Sequence, residues 1–323
     1  GENEYLVDPL AGFDLKPLWA ALKDKTLIMH GSDFDLRLLS KFASFRPARV
    51  FDTMLAAQLI GLKRIGLSSL LDELLGVHHP KDSQKSDWSR RPLPEKMLRY
   101  AVGDVAYLPA LKEILENRLR DLGRLEWHRQ KCDWQIEVGQ NGFPKQDESA
   151  WRVGPHNKLS PRALATLYEL WHWRDREARR LDRPPFKVIS NDYMIRLSRA
   201  VADGTVRKVY EALPPGLKRG RSRGLRDALK RGEKRDPETL PRRRRSGNGR
   251  QPLSHEELLR QDALKKCRDE VAAEGAFDPT LIASRYQLAQ IARDPREAPD
   301  VHLPWQVGIL QPALDALARE EPG

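Results

Sequence analysis

Two side chains of the stretch LRYAVGDVAYL, the phenol of Tyr100 and the carboxylate of Asp104, stand four residues apart in a helical pattern. At that spacing both project from one helical face, about one turn apart. A carboxylate among apolar neighbours costs free energy unless it is paired or holds a cation. A phenol beside a metal-bound carboxylate can orient an attacking water. The plainer explanation is a surface aspartate beside a half-buried tyrosine, and the pair taken alone favours it. A second carboxylate, Asp35, lies in LIMHGSDFDLRLL, where a short apolar strand ends at Gly31 and a helix starts at once. Asp35 then sits in a first helical turn at the carboxyl edge of a strand, where open α/β sheets bind ligands. The helix dipole also favours a carboxylate there. His30 reads as a strand-end histidine held by the fold, and Asp33 as part of the helix cap. In VFDTMLAA, Asp52 reads as an N-cap. KSDWSRRPLPEK places Trp88 where it can stack or pack, and Arg90 and Arg91 where they can meet phosphates.

These groups need elements to position them. EYLVDPL and KTLIMHG read as strands, while DFDLRLLSKF, DTMLAAQLIGL and GLSSLLDELLG carry apolar residues at helical spacing. From Pro94 to about Arg120 runs one helical pattern that Pro109 should kink or divide. Strand–helix alternation implies an α/β unit, yet two strands do not make a stable sheet by themselves. The N-terminal part therefore reads as cut short, and the missing initiator methionine points the same way. NGFPKQDESAWRVGPHNKL has the composition of a linker. A helical segment follows, with Ser160 as N-cap and Pro161 as the first helical residue. The stretch KRGEKRDPETLPRRRRSGNGRQP is nearly devoid of apolar residues and reads as an exposed linker. A second helical segment closes the chain. Both run helix, proline-containing turn, helix, as a diverged duplication would.

The 323 residues are 40% hydrophobic and 32% charged, which suits two or three soluble domains. No run of eighteen apolar residues is present, so no membrane helix is expected. The opening GENEYLVDPL has neither the basic nor the apolar region of a signal peptide. Only Cys132 and Cys267 occur, far apart, which argues for a reducing compartment, the cytoplasm, and against a disulfide framework or a cysteine-based zinc site. Of the net charge of +11, the basic part is one block: residues 151–250 hold 27 Lys and Arg against 11 Asp and Glu. Arginine-dominated blocks commonly contact phosphates, because each neutralised phosphate releases a counterion. A solvated, solubility-promoting face is the plainer explanation.

Taken in order, the strand ending in His-Gly with Asp five residues after the His, Phe-Asp-Thr, Ser-Asp-Trp-Ser-Arg-Arg-Pro-Leu and Tyr-x-x-x-Asp resemble the ribonuclease D group of the DEDD 3′→5′ exonucleases, in its tyrosine-bearing branch. The segments at 156–232 and 253–323 resemble the HRDC domains that follow that nuclease, the second more loosely. The resemblance implies α/β followed by all-α structure: a ribonuclease H-like exonuclease domain over 1–125, short of its first strands, a linker over 126–155, an HRDC domain over 156–232, a basic linker over 233–252 and a second HRDC-like domain over 253–323. It implies that Asp35 and Asp104 are metal ligands and that Tyr100 positions the hydrolytic water. The implied cofactors are two divalent ions, Mg2+ or Mn2+. The implied substrate is RNA with a free 3′ end, tRNA precursors in particular, cut to nucleoside 5′-monophosphates by a monomer away from any membrane. Arg90, Arg91, Arg219, Arg221, Arg223, Arg242, Arg243, Arg244 and Arg245 are candidate RNA contacts. The family's first motif, Asp-x-Glu on an early strand, has no counterpart here: Glu2–Glu4 and Asp72–Leu74 do not fit it. With two of four ligand carboxylates, the chain as it stands is expected to hydrolyse little. A catalytically silent RNA-binding protein on the same scaffold is the competing expectation.

Overall fold

The computed structural model describes residues 3–80, 83–84, 86–143, 148–211, 213, 222–241 and 252–320. The chain divides into two compact units, one of Gly1–Pro144 with Pro252–Gly323 and one of Lys145–Gln251.

The first unit holds a two-stranded parallel sheet of β1 (Thr26–Met29) and β2 (Arg49–Asp52), paired so that Met29 lies opposite Asp52. Helix α1 (Lys16–Leu22) precedes it, and α2 (Asp33–Ala43) connects the strands. Then come α3 (Thr53–Leu59), α4 (Leu67–Leu75), α5 (Glu95–Ala106), α6 (Leu108–Asp121) and α7 (Leu125–Gln140). Pro109 divides the long helical pattern as its ring requires, since α5 ends and α6 begins around Tyr107 with the proline in its first turn. Asp52 caps α3 as expected.

Three elements differ from the sequence pattern. EYLVDPL forms no strand: no partner strand pairs with it, and Asp8 caps a 3-10 turn at Pro9–Ala11 instead. RVFD is a strand that the apolar pattern does not announce, because only four residues separate its start from the next helix. Residues 126–140, linker by composition, lie in α7, which buries His128, Cys132, Gln135 and Ile136. With Leu36, Val50 and Leu55, Cys132 and Ile136 make a small core under the sheet.

Four leucines of α6 at successive turns, Leu108, Leu111, Leu115 and Leu119, enter the larger core. That core also takes Leu264, Phe277, Ile282, Leu288, Trp305 and Leu310 from the C-terminal segment. The segment consists of α13 (His255–Glu274), α14 (Arg285–Arg293), α15 (Ala298–Val301) and α16 (Pro304–Glu320), numbered after the helices of the second unit. Capping boxes at Ser254/Glu257 and Ser284/Gln287 start α13 and α14. The sequence boundary at 252/253 thus parts two stretches of chain that share one core.

The second unit is helical: α8 (Pro161–Arg180), α9 (Pro185–Val188), α10 (Asn191–Ala202), α11 (Val206–Glu211) and α12 (Ser222–Lys234). Ser160 caps α8 ahead of Pro161, and Ser190 caps α10. Trp151, Leu167, Leu170, Met194, Leu197 and Leu225 fill its core.

Candidate active site

The strands end side by side, so the turn after β1 meets the start of α3. Asp52 is the buried joint between them. Its carboxylate accepts hydrogen bonds from the backbone amides of Gly31 (3.0 Å) and Ser32 (2.7 Å), and from Met54 (2.9 Å) and Leu55 (3.3 Å) in α3. The Ser32 hydroxyl also donates to it, at 2.9 Å. One side chain therefore fixes the turn that delivers Asp35. Asp33 takes no part in that cap; it turns outward and pairs with Arg37 at 2.9 Å.

His30 is held as a structural residue. The Thr53 hydroxyl donates to the Met29 carbonyl (3.1 Å), so the His30 ring donates from Nδ1 to Thr53 Oγ1 (2.9 Å). Burial lowers the His30 pKa, with Asp52 and Asp104 acting in the opposite sense. Asp35 is open to solvent at the cleft edge, yet its carboxyl is pushed above the usual range, first by desolvation and then by the charge of Asp52.

Across from these lies α5. Tyr100 and Asp104 share a face of that helix, and His79 touches both. His79 Nε2 donates to Asp104 Oδ1 at 2.8 Å, and the imidazole stacks on the Tyr100 ring with centroids 5.1 Å apart and planes 26° apart. His79 is buried, and its carbonyl accepts from the Ser68 hydroxyl at 2.8 Å, which anchors it to α4. Gly103 makes the approach possible, since a Cβ there would sit 2.7 Å from the His79 ring. The Trp88 ring lies 6.1 Å from Tyr100. Sequence reasoning singled out neither His79 nor Gly103. The available signals were a histidine pair in GVHHP and a glycine inside a helical pattern.

Asp35, Tyr100 and Asp104 line one cleft of about 680 Å³, together with His30, His79 and Trp88. Among the described residues, no group of three or more His, Cys, Asp or Glu side chains is set to hold a metal ion. The donors fit a hard divalent cation in kind, being carboxylate oxygens. The raised Asp35 is a carboxylate on which a cation would favour the charged form. They do not fit in number, because Asp35 and Asp104 are two.

The candidate phosphate-binding residues are placed variously. Arg90 is exposed. Arg91 grips Asp8 through a forked pair of 2.6 Å bonds, which hold the Asp8 carboxyl down at about 2. It also donates to the Trp88 carbonyl at 2.8 Å, so it organises the loop that carries Trp88. Arg223 is exposed on α12. Arg219, Arg221, Arg242, Arg243, Arg244 and Arg245 lie outside the described residues.

A 3′-5′ exonuclease family model matches residues 1–120, and an HRDC domain model matches residues 163–203. The ribonuclease D of Gluconacetobacter diazotrophicus is 30% identical over 94% of this chain and 77% of its own length. That of Pseudomonas paraeruginosa is 32% identical over 62% of this chain and 53% of its own. The crystal structure of Escherichia coli RNase D, an exoribonuclease involved in structured RNA processing, matches with a TM-score of 0.63 and 25% identity, covering 100% of this chain and 87% of the other. A Bifidobacterium adolescentis protein matches with a TM-score of 0.75 at 23% identity over 96% and 82% of the two chains, which speaks to the fold alone.

Proposed function

Because the chain belongs to the ribonuclease D family of 3′→5′ exoribonucleases, we propose that its cleft is the place of phosphodiester hydrolysis, with Asp35, Tyr100 and Asp104 as its working residues. The supporting observation is their convergence, from two separate helices, on one cleft. In this proposal Asp35 and Asp104 would hold Mg2+ or Mn2+, two ions per complete site. Such ions lower the pKa of a bound water and neutralise charge on both the attacking and leaving oxygens. Tyr100 Oη would orient the attacking water. His79, by donating from Nε2, keeps the Asp104 carboxylate in one rotamer.

The proposed substrate is RNA with a free 3′ end, structured RNAs such as tRNA precursors above all, released as nucleoside 5′-monophosphates. Residues 1–140 are proposed to act as the nuclease, packed in one unit with 252–323, and 156–232 as the HRDC domain, with the stretches about 141–155 and 233–252 as connections. Arg90, Arg223 and the arginines near 219–221 and 242–245 meet RNA phosphates, which position the strand without reading its sequence. The protein is proposed to work as a monomer in the cytoplasm; among the described residues no helix is long and apolar enough to cross a membrane.

Two carboxylates hold a pair of divalent ions poorly, so residues 1–323 alone are proposed to hydrolyse little without a further Asp-x-Glu. The same shortage favours a second proposal, an RNA-binding protein that uses the scaffold without cutting. Assaying the protein as its native source makes it, with 5′-labelled RNA and Mg2+, separates the two. Stepwise 3′ shortening supports hydrolysis, and tight binding with no shortening supports the silent scaffold.

A further inference from the structure

Three phenylalanines gather around α2, two of them exposed and the third, Phe143, half-buried. Phe34 and Phe42, both on α2, are 59% and 72% exposed, which is unusual for rings of this size grouped together. Phe143, just beyond α7, stands edge-on to Phe34 with centroids 5.3 Å apart and planes 63° apart. Lys41 Nζ lies 5.0 Å from the Phe42 centroid and 5.6 Å from that of Phe143. The group is held in place. Arg37 donates from Nη1 to the Gly142 carbonyl at 2.5 Å, while Asp33 takes its other edge, so the segment bearing Phe143 is tied to the middle of α2.

Position and chemistry together indicate an occupant. Phe34 is the residue immediately before Asp35, so the patch begins one residue from the cleft wall. From Phe34 to Phe42 the helix rises about 12 Å, the span of roughly three stacked nucleotides at about 3.4 Å each. Every base has a face that stacks on an aromatic ring, and single-strand binders combine such rings with cations along the backbone path. Lys41 supplies that cation among the rings. Lys41 sets a positive charge among the rings, while Asp33 and Arg37 neutralise each other, which suits a phosphate-bearing strand better than an apolar protein face.

We propose that Phe34, Phe42, Phe143 and Lys41 form a stacking platform for unpaired nucleotides of an RNA whose 3′ end occupies the cleft. The proposal rests on the exonuclease reading and deepens it, because it makes a single-stranded tail of several nucleotides the preferred substrate.

The test is fluorescence anisotropy with the 323-residue chain and two oligouridylates, of about two nucleotides, which the cleft alone accommodates, and of about twelve. Wild type is expected to bind the longer one more tightly. Phe34→Ala with Phe42→Ala should weaken the longer complex by about thirtyfold or more, the loss of two stacked bases, and leave the shorter unchanged. Phe34→Tyr with Phe42→Tyr should restore it, and Lys41→Gln should lower the salt slope by about one. Unchanged affinity of the alanine variant for the longer oligonucleotide, with a wild-type melting curve, overturns the platform but leaves the cleft reading standing. If wild type binds neither oligonucleotide, the exonuclease reading fails with it. If sedimentation shows a wild-type dimer that the alanine variant lacks, the patch is a self-association face and the platform is wrong.

Discussion

His79 is the residue on which the geometry of the cleft turns, since it both hydrogen-bonds Asp104 and stacks on Tyr100. Partners that orient a ligating carboxylate are typically worth about 10–100-fold in metal affinity or activity. His79→Leu, which keeps the volume and removes the donor, is expected to lower 3′-nuclease kcat by that factor with little change in KM for RNA. His79→Gln keeps a donor at the reach of Nε2 and should recover part of the loss. Equal loss in both variants would mean that the ring stack, not the hydrogen bond, matters. Asp35 makes a second expectation. Its pKa is raised, so the folded protein binds that proton more tightly than the unfolded chain. Stability is therefore lost as pH rises from the ordinary carboxylate value of 3.8 through the raised one. Without metal, Asp35→Asn should melt higher than wild type at neutral pH and at the same temperature in strong acid, as differential scanning calorimetry would show. The placement of Asp35 at a strand edge and of Tyr100 and Asp104 on one helix face was legible in the spacing, whereas their proposed roles came from the family resemblance. His79 was not legible, because its partners are 25 and 21 residues away and only the fold brings a loop histidine onto α5.

At the scale of elements, the strand ends and α7 decide whether Asp35 is presented at all. Asp52 satisfies four backbone amides from a fully buried position. Its replacement by Ala removes a cap and orphans buried donors, at a cost of about 3 kcal/mol or more, measurable by urea denaturation. Asp52→Asn should cost less, because one oxygen still accepts. Gly139 of α7 lies so near α2 that a Cβ would sit 2.9 Å from Leu36 Cβ, next to Asp35 in the chain. Gly139→Val is accordingly expected to lower both stability and RNA cleavage. The N-cap at Asp52 and the break at Pro109 could be read from residue types alone, since both are local chemistry. EYLVDPL looked like a strand because alternation and apolar content do not reveal whether a neighbouring strand pairs with it. The stretch before Asn141 looked polar because α7 buries a narrow face, with Cys132, Gln135, Ile136 and Gly139 among solvated neighbours.

For the whole molecule, the notable joint is the core common to residues 1–144 and 252–323. Trp305 stacks on Trp127 at 4.6 Å, its backbone N–H donates to Gln130 Oε1 at 3.2 Å, and Arg124 donates to the Leu59 and Gly275 carbonyls at 2.6 and 2.8 Å. The sequence pattern separated these segments because a basic, apolar-poor stretch intervenes, and composition cannot report that the chain returns to the same core. Trp305→Ala should cost about 3–5 kcal/mol and destabilise the nuclease helices together with α13–α16, so that hydrogen exchange speeds up in both. Acid should act on this unit as well. Burial lowers the pKa of His30, His128 and His302 from 6.5, so each stays neutral in the folded protein and charges on unfolding. Stability is complete above that value and falls as pH drops below it, which a series of urea midpoints would record. The most direct measurement of the proposed chemistry is release of nucleoside 5′-monophosphates from the 3′ end of labelled RNA by the native protein with Mg2+, compared with Asp104→Asn. Wild type should shorten the RNA one nucleotide at a time, and the variant should lose more than about a hundredfold while still binding RNA. Undiminished release by Asp104→Asn would contradict the assignment of this cleft as the place of hydrolysis.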